Sequence, residues 1–414
     1  MIFKSNVNIP GSKEILEKLK KLNGVIIFGT GNFGSIVLAG LKMAGIKVLG
    51  FGDNNEKHWG TKWNNVNIFS LDDLKKKFQD TPIVIASLSY AYIKKQLNNI
   101  NINQIYDCDF IFSNIDLDLE KCSTNWSAKR CKEHIETYMF AMQSENSKKN
   151  GIINVKHLDL VLTEKCSLKC KDCSNLMQYY EKPIDEDFDV LVKSLDKFMS
   201  SVDSVNEIRL IGGEPLLYKR IGDVMEKVLT YKNFKKIYVY TNGTIVFKNN
   251  KMNIFQNEKV LFRISDYGKI SRNVKPLEQE LERLNINYLT ERITTWQNCA
   301  KIKLYDRPDS LTKFIYGNCC VNQFLTLLHG KLYLCPFQAH AENLKAVPNI
   351  NKDSINLIDE KIETIRKRIY KLYFETEYLE ACKFCNGRDP NVENVEAALQ
   401  AEKPLEYAKI NFSY

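Results

Sequence analysis

Leu158-Asp159-Leu160-Val161-Leu162-Thr163-Glu164-Lys165-Cys166-Ser167-Leu168-Lys169-Cys170-Lys171-Asp172-Cys173 is the stretch on which the reading of this chain turns. Its first five residues predict a strand, and Cys166, Cys170 and Cys173 follow almost at once. Such spacing could also align cysteines along one helix face. But Lys165, Lys169, Lys171 and Asp172 crowd the segment, and a buried apolar stripe does not fit them. A structural zinc site needs a fourth ligand, and no Cys or His follows before Cys299. Thiolates are the usual ligands of iron–sulfur clusters, and three can hold three irons of a cubane while the fourth stays open. An unfilled position on a metal is where a substrate binds.

Outward from this stretch, strands and helices alternate. After Leu158–Leu162, a helix carries Phe188, Leu191, Leu195 and Phe198 on one face. Ile208–Ile211 reads as the next strand, followed by a helix with Ile221, Val224, Met225, Val228 and Leu229. Ile237–Tyr240 and Val260–Ile264 are further strands, and a helix with Leu277, Leu281 and Leu284 precedes the strand Ile286–Leu289. Repeated strand–helix units predict a parallel sheet or partial barrel, with chemistry at the carboxyl ends of its strands.

Cys-x3-Cys-x2-Cys after the first strand of such a repeat resembles the signature of the radical S-adenosylmethionine (SAM) superfamily. Gly212-Gly213-Glu214-Pro215 after the second strand is similar to the family's glycine-rich segment, which meets the amino group of SAM. Thr241-Asn242 after the third strand and Ser265-Asp266 at the end of the fourth stand where family members contact ribose and carboxylate. The resemblance implies a partial (β/α)6 barrel over 151–300, a [4Fe–4S] cluster on Cys166, Cys170 and Cys173, and reductive cleavage of SAM to a 5′-deoxyadenosyl radical. An external donor such as flavodoxin or ferredoxin would supply the electron. Gly212 and Gly213 are expected to let the backbone approach the ligand, and Glu214 to accept from the ammonium group. The chain departs from the family pattern at Asp172, where an aromatic residue often lies near the adenine, so the adenine contact stays open.

Beyond residue 300 the alternation lapses and cysteines return. Cys319 or Cys320, then Gly330-Lys331-Leu332-Tyr333-Leu334-Cys335, then Cys382-Lys383-Phe384-Cys385 resemble the twitch version of the SPASM-type extension. That resemblance implies an α+β domain over 301–414 and one auxiliary [4Fe–4S] cluster on Cys319, Cys335, Cys382 and Cys385. Spacing permits Cys320 in place of Cys319, and a four-cysteine zinc site shares the same Cys-x2-Cys. Cys299 is an unassigned thiol, either an ordinary buried one or a hydrogen donor for an epimerisation.

Near the amino terminus, Gly29-Thr30-Gly31-Asn32-Phe33-Gly34 lies between the apolar run Val25–Phe28 and a helix, and Asp53 ends the strand Ile46–Phe51. This context suits a Rossmann-like nucleotide-binding unit over 1–115, with pyrophosphate on the helix terminus and Asp53 on ribose. The alternative is a scaffold that uses the loop only for packing. The segment, with Asp53-Asn54-Asn55 and Trp59-Gly60, resembles nucleotide-binding units attached to sugar-modifying enzymes. Residues 116–150 read as a linker containing a helix from Ala128 to Gln143.

The 414 residues carry 44% hydrophobic and 26% charged side chains, ordinary for a folded chain with two or three domains. No apolar run approaches a membrane span, and Met1–Pro10 lacks the pattern of a secretory signal, so a cytoplasmic chain is expected. Twelve cysteines without an export signal suggest metal rather than disulfides. The net charge of +9 fits a solvated surface or an anionic small molecule, and without a basic cluster interleaved with aromatics nucleic acid is not expected. The resemblances together imply radical modification of a carbohydrate, nucleotide-linked, by oxidation, epimerisation or elimination. Modification of a ribosomal peptide is one rival. A non-catalytic iron–sulfur or zinc sensor is another.

Overall fold

Val25–Phe28 forms strand β1, apolar because both its faces are covered. Val25 and Ile27 pack into one core layer, Ile26 and Phe28 into the opposite one. In this computed structural model the described residues are 1–407 apart from 6, 8, 249, 250, 350, 389 and 390. The chain divides into two units, Met1–Asn146 and Ser147–Tyr414.

In the first unit, β1 is followed by helix α1 (Gly31–Met43), β2 (Val48–Gly52), β3 (Lys62–Trp63), β4 (Val66–Phe69), β5 (Ile83–Ile85) and β6 (Ile105–Asp107). The strand order is β3-β4-β2-β1-β5-β6, parallel except for the β3–β4 pair. The chain runs from β1 to β2 on one side and returns to β5 on the other. The carboxyl end of β1 is therefore a switch point, where doubly wound sheets open a crevice. The helix expected within a linker extends over Ala128–Ser147 (α2) and is no linker. Its Cys131, Ile135, Tyr138, Met139 and Met142 recur at helical spacing and are buried in the core around α1.

The second unit is an eight-stranded sheet. Its strands are β7 (Asn154–Val161), β8 (Ser204–Ile211), β9 (Phe234–Thr241), β10 (Val260–Asp266), β11 (Tyr288–Arg292), β12 (Phe324–Leu328), β13 (Lys331–Tyr333) and β14 (Ser354–Asn356), in the order β11-β10-β9-β8-β7-β12-β13-β14. The first six are parallel; β12, β13 and β14 form an antiparallel meander. Among the described residues, β11 and β14 stand at the two ends of the strand order. The sixth parallel strand thus comes from beyond residue 300, where the sequence shows no strand–helix alternation.

Side-chain alternation gives this sheet two different faces. Leu158, Leu160, Ile208, Leu210, Ile237, Val239, Phe262 and Ile264 pack against helices α3 (Phe188–Ser201), α4 (Ile221–Thr230) and α5 (Val274–Arg283). The intervening residues are polar or aromatic and touch one another. Arg209 Nε donates to Asp159 Oδ1 at 2.5 Å, with its guanidinium over Phe324 and Tyr240. His157 Nδ1 meets Glu207 Oε2 at 2.9 Å. A polar concave face on an otherwise buried sheet is costly unless paired, and here the charges are paired.

The two-residue turn His329–Gly330 between β12 and β13 carries a clamp below the cysteine loop. His329 Nε2 lies 3.0 Å from Glu164 Oε1, and its Nδ1 lies 2.7 Å from Glu186 Oε2. Burial pushes the imidazole down, but the hydrogen bonds to Glu164 and Glu186 and their charges outweigh it and raise it to about 10. Burial pushes Glu164 up, yet His329, the Ile184 N–H and Asn343 hold it below its ordinary 4.5. A raised imidazolium stabilises fully below its ordinary 6.5 and loses that contribution as pH climbs towards 10. The depressed Glu164 contributes above 4.5 and loses its share as pH falls further. Urea titrations should therefore show wild type most stable relative to His329→Gln between about 4.5 and 6.5, with the gap narrowing by pH 10. A gap independent of pH would contradict the clamp.

Candidate active site

The carboxyl ends of β7 to β10 open onto one cavity of about 300 Å³. Cys166, Cys170 and Cys173 line it, as do Gly212, Gly213, Thr241, Asn242 and Ser265. Segments separated by up to a hundred residues in sequence thus meet in one place, each delivered by the end of a parallel strand.

The three thiols are strongly disfavoured as bare anions. Burial pushes Cys170 up to about 12 and raises Cys166 and Cys173 as well, and the three charges repel one another. A positively charged group is needed to hold them as thiolates, and three thiolates on separate irons of a cubane meet that need. Hydrogen bonds to sulfur are already in place: Leu168 N to Cys166 Sγ at 3.4 Å and Asn242 Nδ2 to the same atom at 3.6 Å. The donor set therefore fits the cluster. Among the described residues, no group of three or more His, Cys, Asp or Glu side chains is arranged to hold a single metal ion.

Gly212 and Gly213 line the cavity and are also constrained to glycine by packing. A Cβ on Gly212 would run into the Thr163 carbonyl, and one on Gly213 into the Lys165 carbonyl and to 2.8 Å from Cys166 Cβ. Gly213 N donates to Thr163 O and Glu214 N to Lys165 O, each at 2.8 Å. The glycine segment is thus the bed on which the cysteine loop lies.

Glu214 is fully buried and does not line the cavity. Its Oε2 accepts from Asn242 N at 2.8 Å and its Oε1 from Leu216 N at 3.2 Å, joining the loops after β8 and β9. Burial raises it to about 7 against the pull of those N–H groups. Asp266 is also outside the cavity wall. Its carboxylate accepts from Gly268 N at 2.7 Å and pairs with Arg292 at 3.1 Å, so it shapes the following turn.

Part of the wall carries no sequence motif. Asp159, Arg209 and Tyr240 form its polar floor, and Tyr267 and Trp296 stand on it with ring centroids 5.3 Å apart. Asp159 and Arg209 were legible only as alternate residues of strands. Tyr267 directly follows Ser265-Asp266, and its neighbourhood could have signalled it.

A second, smaller cavity is lined by Cys319, Cys335, Cys382 and Cys385 together. Cys320 is exposed and its Sγ faces Gln297 Oε1 at 3.8 Å. Cys335 caps helix α6 (Pro336–Asn343), its Sγ accepting from Gln338 N at 3.5 Å, which pulls the thiol down against a larger effect of burial. The carbonyls of Cys382 and Cys385 both accept from Arg307 Nη2. Burial raises all four thiols, Cys385 to about 12. Arg388 lines both cavities, and its Nε reaches buried Cys299 at 3.0 Å. Metal bound at this set should drop in Cys319→Ser and stay unchanged in Cys320→Ser, read as iron and zinc per chain; the reverse would place the ligand at Cys320.

In the first unit, the loop after β1 has the three glycine roles separated. Gly29 sits at φ 113 with the Ala86 carbonyl where a Cβ would be, and Gly34 packs α1 against the Gly29 carbonyl. Gly31, at φ 90, faces open space. Asp53 Oδ2 accepts from Thr30 N at 2.7 Å and from Thr30 Oγ1 at 2.5 Å. Phe33 is packed against Phe112, His134 and Tyr138, and Asn32 Oδ1 accepts from Asn125 N.

Residues 21–105 match the family model described as C2185-like, N-terminal, and residues 160–275 match that of the radical SAM superfamily. Among curated proteins, the chain is similar to the GTP 3',8-cyclase of Desulforamulus reducens, 26% identical over 160 residues, or 34% of this chain and 48% of that one. The probable GTP 3',8-cyclase of Methanocaldococcus jannaschii is 26% identical over 178 residues, 37% of this chain and 53% of its own. The chain thus spans about half the length of these relatives. Among solved structures, BtrN in complex with AdoMet and 2-DOIA aligns over 58% of this chain and 98% of that chain, at 15% identity and a TM-score of 0.36. No helix among the described residues is long and apolar enough to cross a membrane.

Proposed function

We propose, on the premise that residues 160–275 are a radical SAM domain with a [4Fe–4S] cluster and SAM as its cofactors, that the chain is an enzyme removing hydrogen from a nucleotide-linked carbohydrate. One observation carries the reading: a single cavity at the strand ends gathers Cys166, Cys170 and Cys173 with Gly212, Gly213, Thr241, Asn242 and Ser265. When bound, the cluster supplies the electron that cleaves SAM to the radical which abstracts hydrogen. The three cysteines hold it, and the backbone of Gly212 and Gly213 with Asn242 orients the loop that carries them. Thr241 and Ser265 offer hydroxyls to the methionyl and ribose groups. Tyr267 or Trp296 gives the adenine the aromatic face that Asp172 does not. The polar floor of Asp159, Arg209 and Tyr240 suits a ring rich in hydroxyl groups. In this reading residues 301–414 carry an auxiliary cluster on Cys319, Cys335, Cys382 and Cys385, able to accept an electron from the substrate. Residues 1–115 are in this reading a nucleotide-binding unit, with Gly31 the glycine of its loop left open to a ligand, and a flavodoxin or ferredoxin is the reductant.

The relatives named GTP 3',8-cyclase favour a second substrate, a guanine nucleotide. The test separates the two. The reduced enzyme with SAM is offered ring-deuterated nucleotide sugars, deuterated GTP, or a peptide mixture. Deuterium appearing in 5′-deoxyadenosine from a sugar supports the proposal. Label from GTP alone transfers it to the second substrate, and label from neither removes both.

A further inference from the structure

The segment after the antiparallel pair Thr295–Gln297 and Asn394–Glu396 returns across the cysteine loop. Lys171 N donates to Leu399 O and Ala401 N to Lys169 O, each at 2.7 Å, and Cys170 and Gln400 form an antiparallel bridge. Further along, Leu405 N donates to Gln178 O at 2.8 Å and Tyr407 OH to Leu344 O at 2.6 Å. The strap is therefore tied down on both sides of the crossing.

At the crossing itself, Gln400 uses its whole amide. Its Oε1 accepts from Lys169 N at 2.8 Å, and its Nε2 donates to Ala398 O at 2.7 Å and to Cys170 Sγ at 3.2 Å. Other N–H groups aimed at the triplet's sulfurs come from Leu168 and Asn242, which reach Cys166, and from the backbone of Asn175 and Met177, which reach Cys173. Gln400 is the long-range donor to Cys170, delivered from 230 residues away. An N–H aimed at a thiolate is worth more when the cluster behind it carries an extra electron, so hydrogen bonds to sulfur raise a cluster's reduction potential.

We infer that Gln400 is a positioning residue that sets the reduction potential of the cluster at the triplet, through its hydrogen bond to Cys170. The inference rests on the reading that Cys166, Cys170 and Cys173 hold that cluster. Without this donor the reduced cluster is less stabilised and the site becomes harder to reduce. The strap also ties the carboxy-terminal region to the loop whose chemistry begins the reaction.

The test is a redox titration of the reconstituted enzyme followed by electron paramagnetic resonance. It monitors the signal that a Cys166→Ala/Cys170→Ala/Cys173→Ala variant lacks. Two variants are compared with wild type. Gln400→Met keeps the length and removes the donor. Gln400→Glu keeps the acceptor for Lys169 N and puts a negative charge where the donor was. The expected result is normal iron content and a midpoint moved to more negative potential. The one-electron equilibrium should shift about tenfold in Gln400→Met, or about 59 mV, and further in Gln400→Glu. Full iron with an unmoved midpoint in both variants overturns the inference. So does failure of both to bind iron, which would make Gln400 a residue of assembly. A wild type without the signal defeats the cluster reading itself and is thereby distinguished from either.

Discussion

Gly213→Ala is expected to strip the cluster site, lowering iron at the triplet to the level of the Cys166→Ala/Cys170→Ala/Cys173→Ala variant. The place of the new methyl group is taken by the Lys165 carbonyl, with Cys166 Cβ at 2.8 Å. These are backbone atoms and the root of a ligand, so no flexible side chain can yield. Either the bond from Gly213 N to Thr163 O and that from Glu214 N to Lys165 O break, or the cysteine loop lifts. Misplacement of a reacting group by about 1 Å can cost roughly a hundredfold in rate. Formation of 5′-deoxyadenosine should fall at least that far, with the far-ultraviolet spectrum unchanged. Wild-type iron and turnover in Gly213→Ala would show that the two loops are not packed as described.

The second large effect is on stability. Asp159→Leu should destabilise the second unit by about 3–5 kcal/mol, the typical cost of leaving one member of a buried ion pair alone. Asp159 is 1% exposed, and its partner Arg209 lies between the rings of Phe324 and Tyr240. With the carboxylate gone, the guanidinium keeps its desolvation cost and loses the charge that offsets it. Replacing both, as Asp159→Leu/Arg209→Met, should recover most of the loss, because apolar substitutes for a buried pair are often neutral. Chemical denaturation of the three proteins checks this. A double variant as unstable as the single one would mean that Arg209 is held by something other than Asp159.

The cysteine triplet, the glycine segment and the Thr241-Asn242 turn could be read from the chain because each is local and follows an apolar strand. Their convergence required only that the strands be parallel and adjacent. Three other features were not legible. The strand Phe324–Leu328 pairs with β7, a partner whose sequence distance no periodicity reveals. Glu214 and Asp266 are carboxyl groups that the motif assigns to a ligand, and the structure shows them also accepting from backbone N–H groups and, for Asp266, from Arg292. Asp53 is likewise satisfied by Thr30 in its own unit. A short polar side chain near a turn can serve the turn as well as a ligand, and sequence spacing does not separate the two. Gln400 and Arg388 escaped notice because their neighbours in sequence carry no motif, and only the return of the chain sets them beside the cysteines.

Cys166, Cys170 and Cys173 should hold a cluster that cleaves SAM. Anaerobic protein reconstituted with iron and sulfide, given SAM and dithionite, is assayed for 5′-deoxyadenosine beside the triple alanine variant. Wild type should form the product, and the variant should form none. Wild type fully loaded with iron that forms no 5′-deoxyadenosine with any reductant would contradict the account.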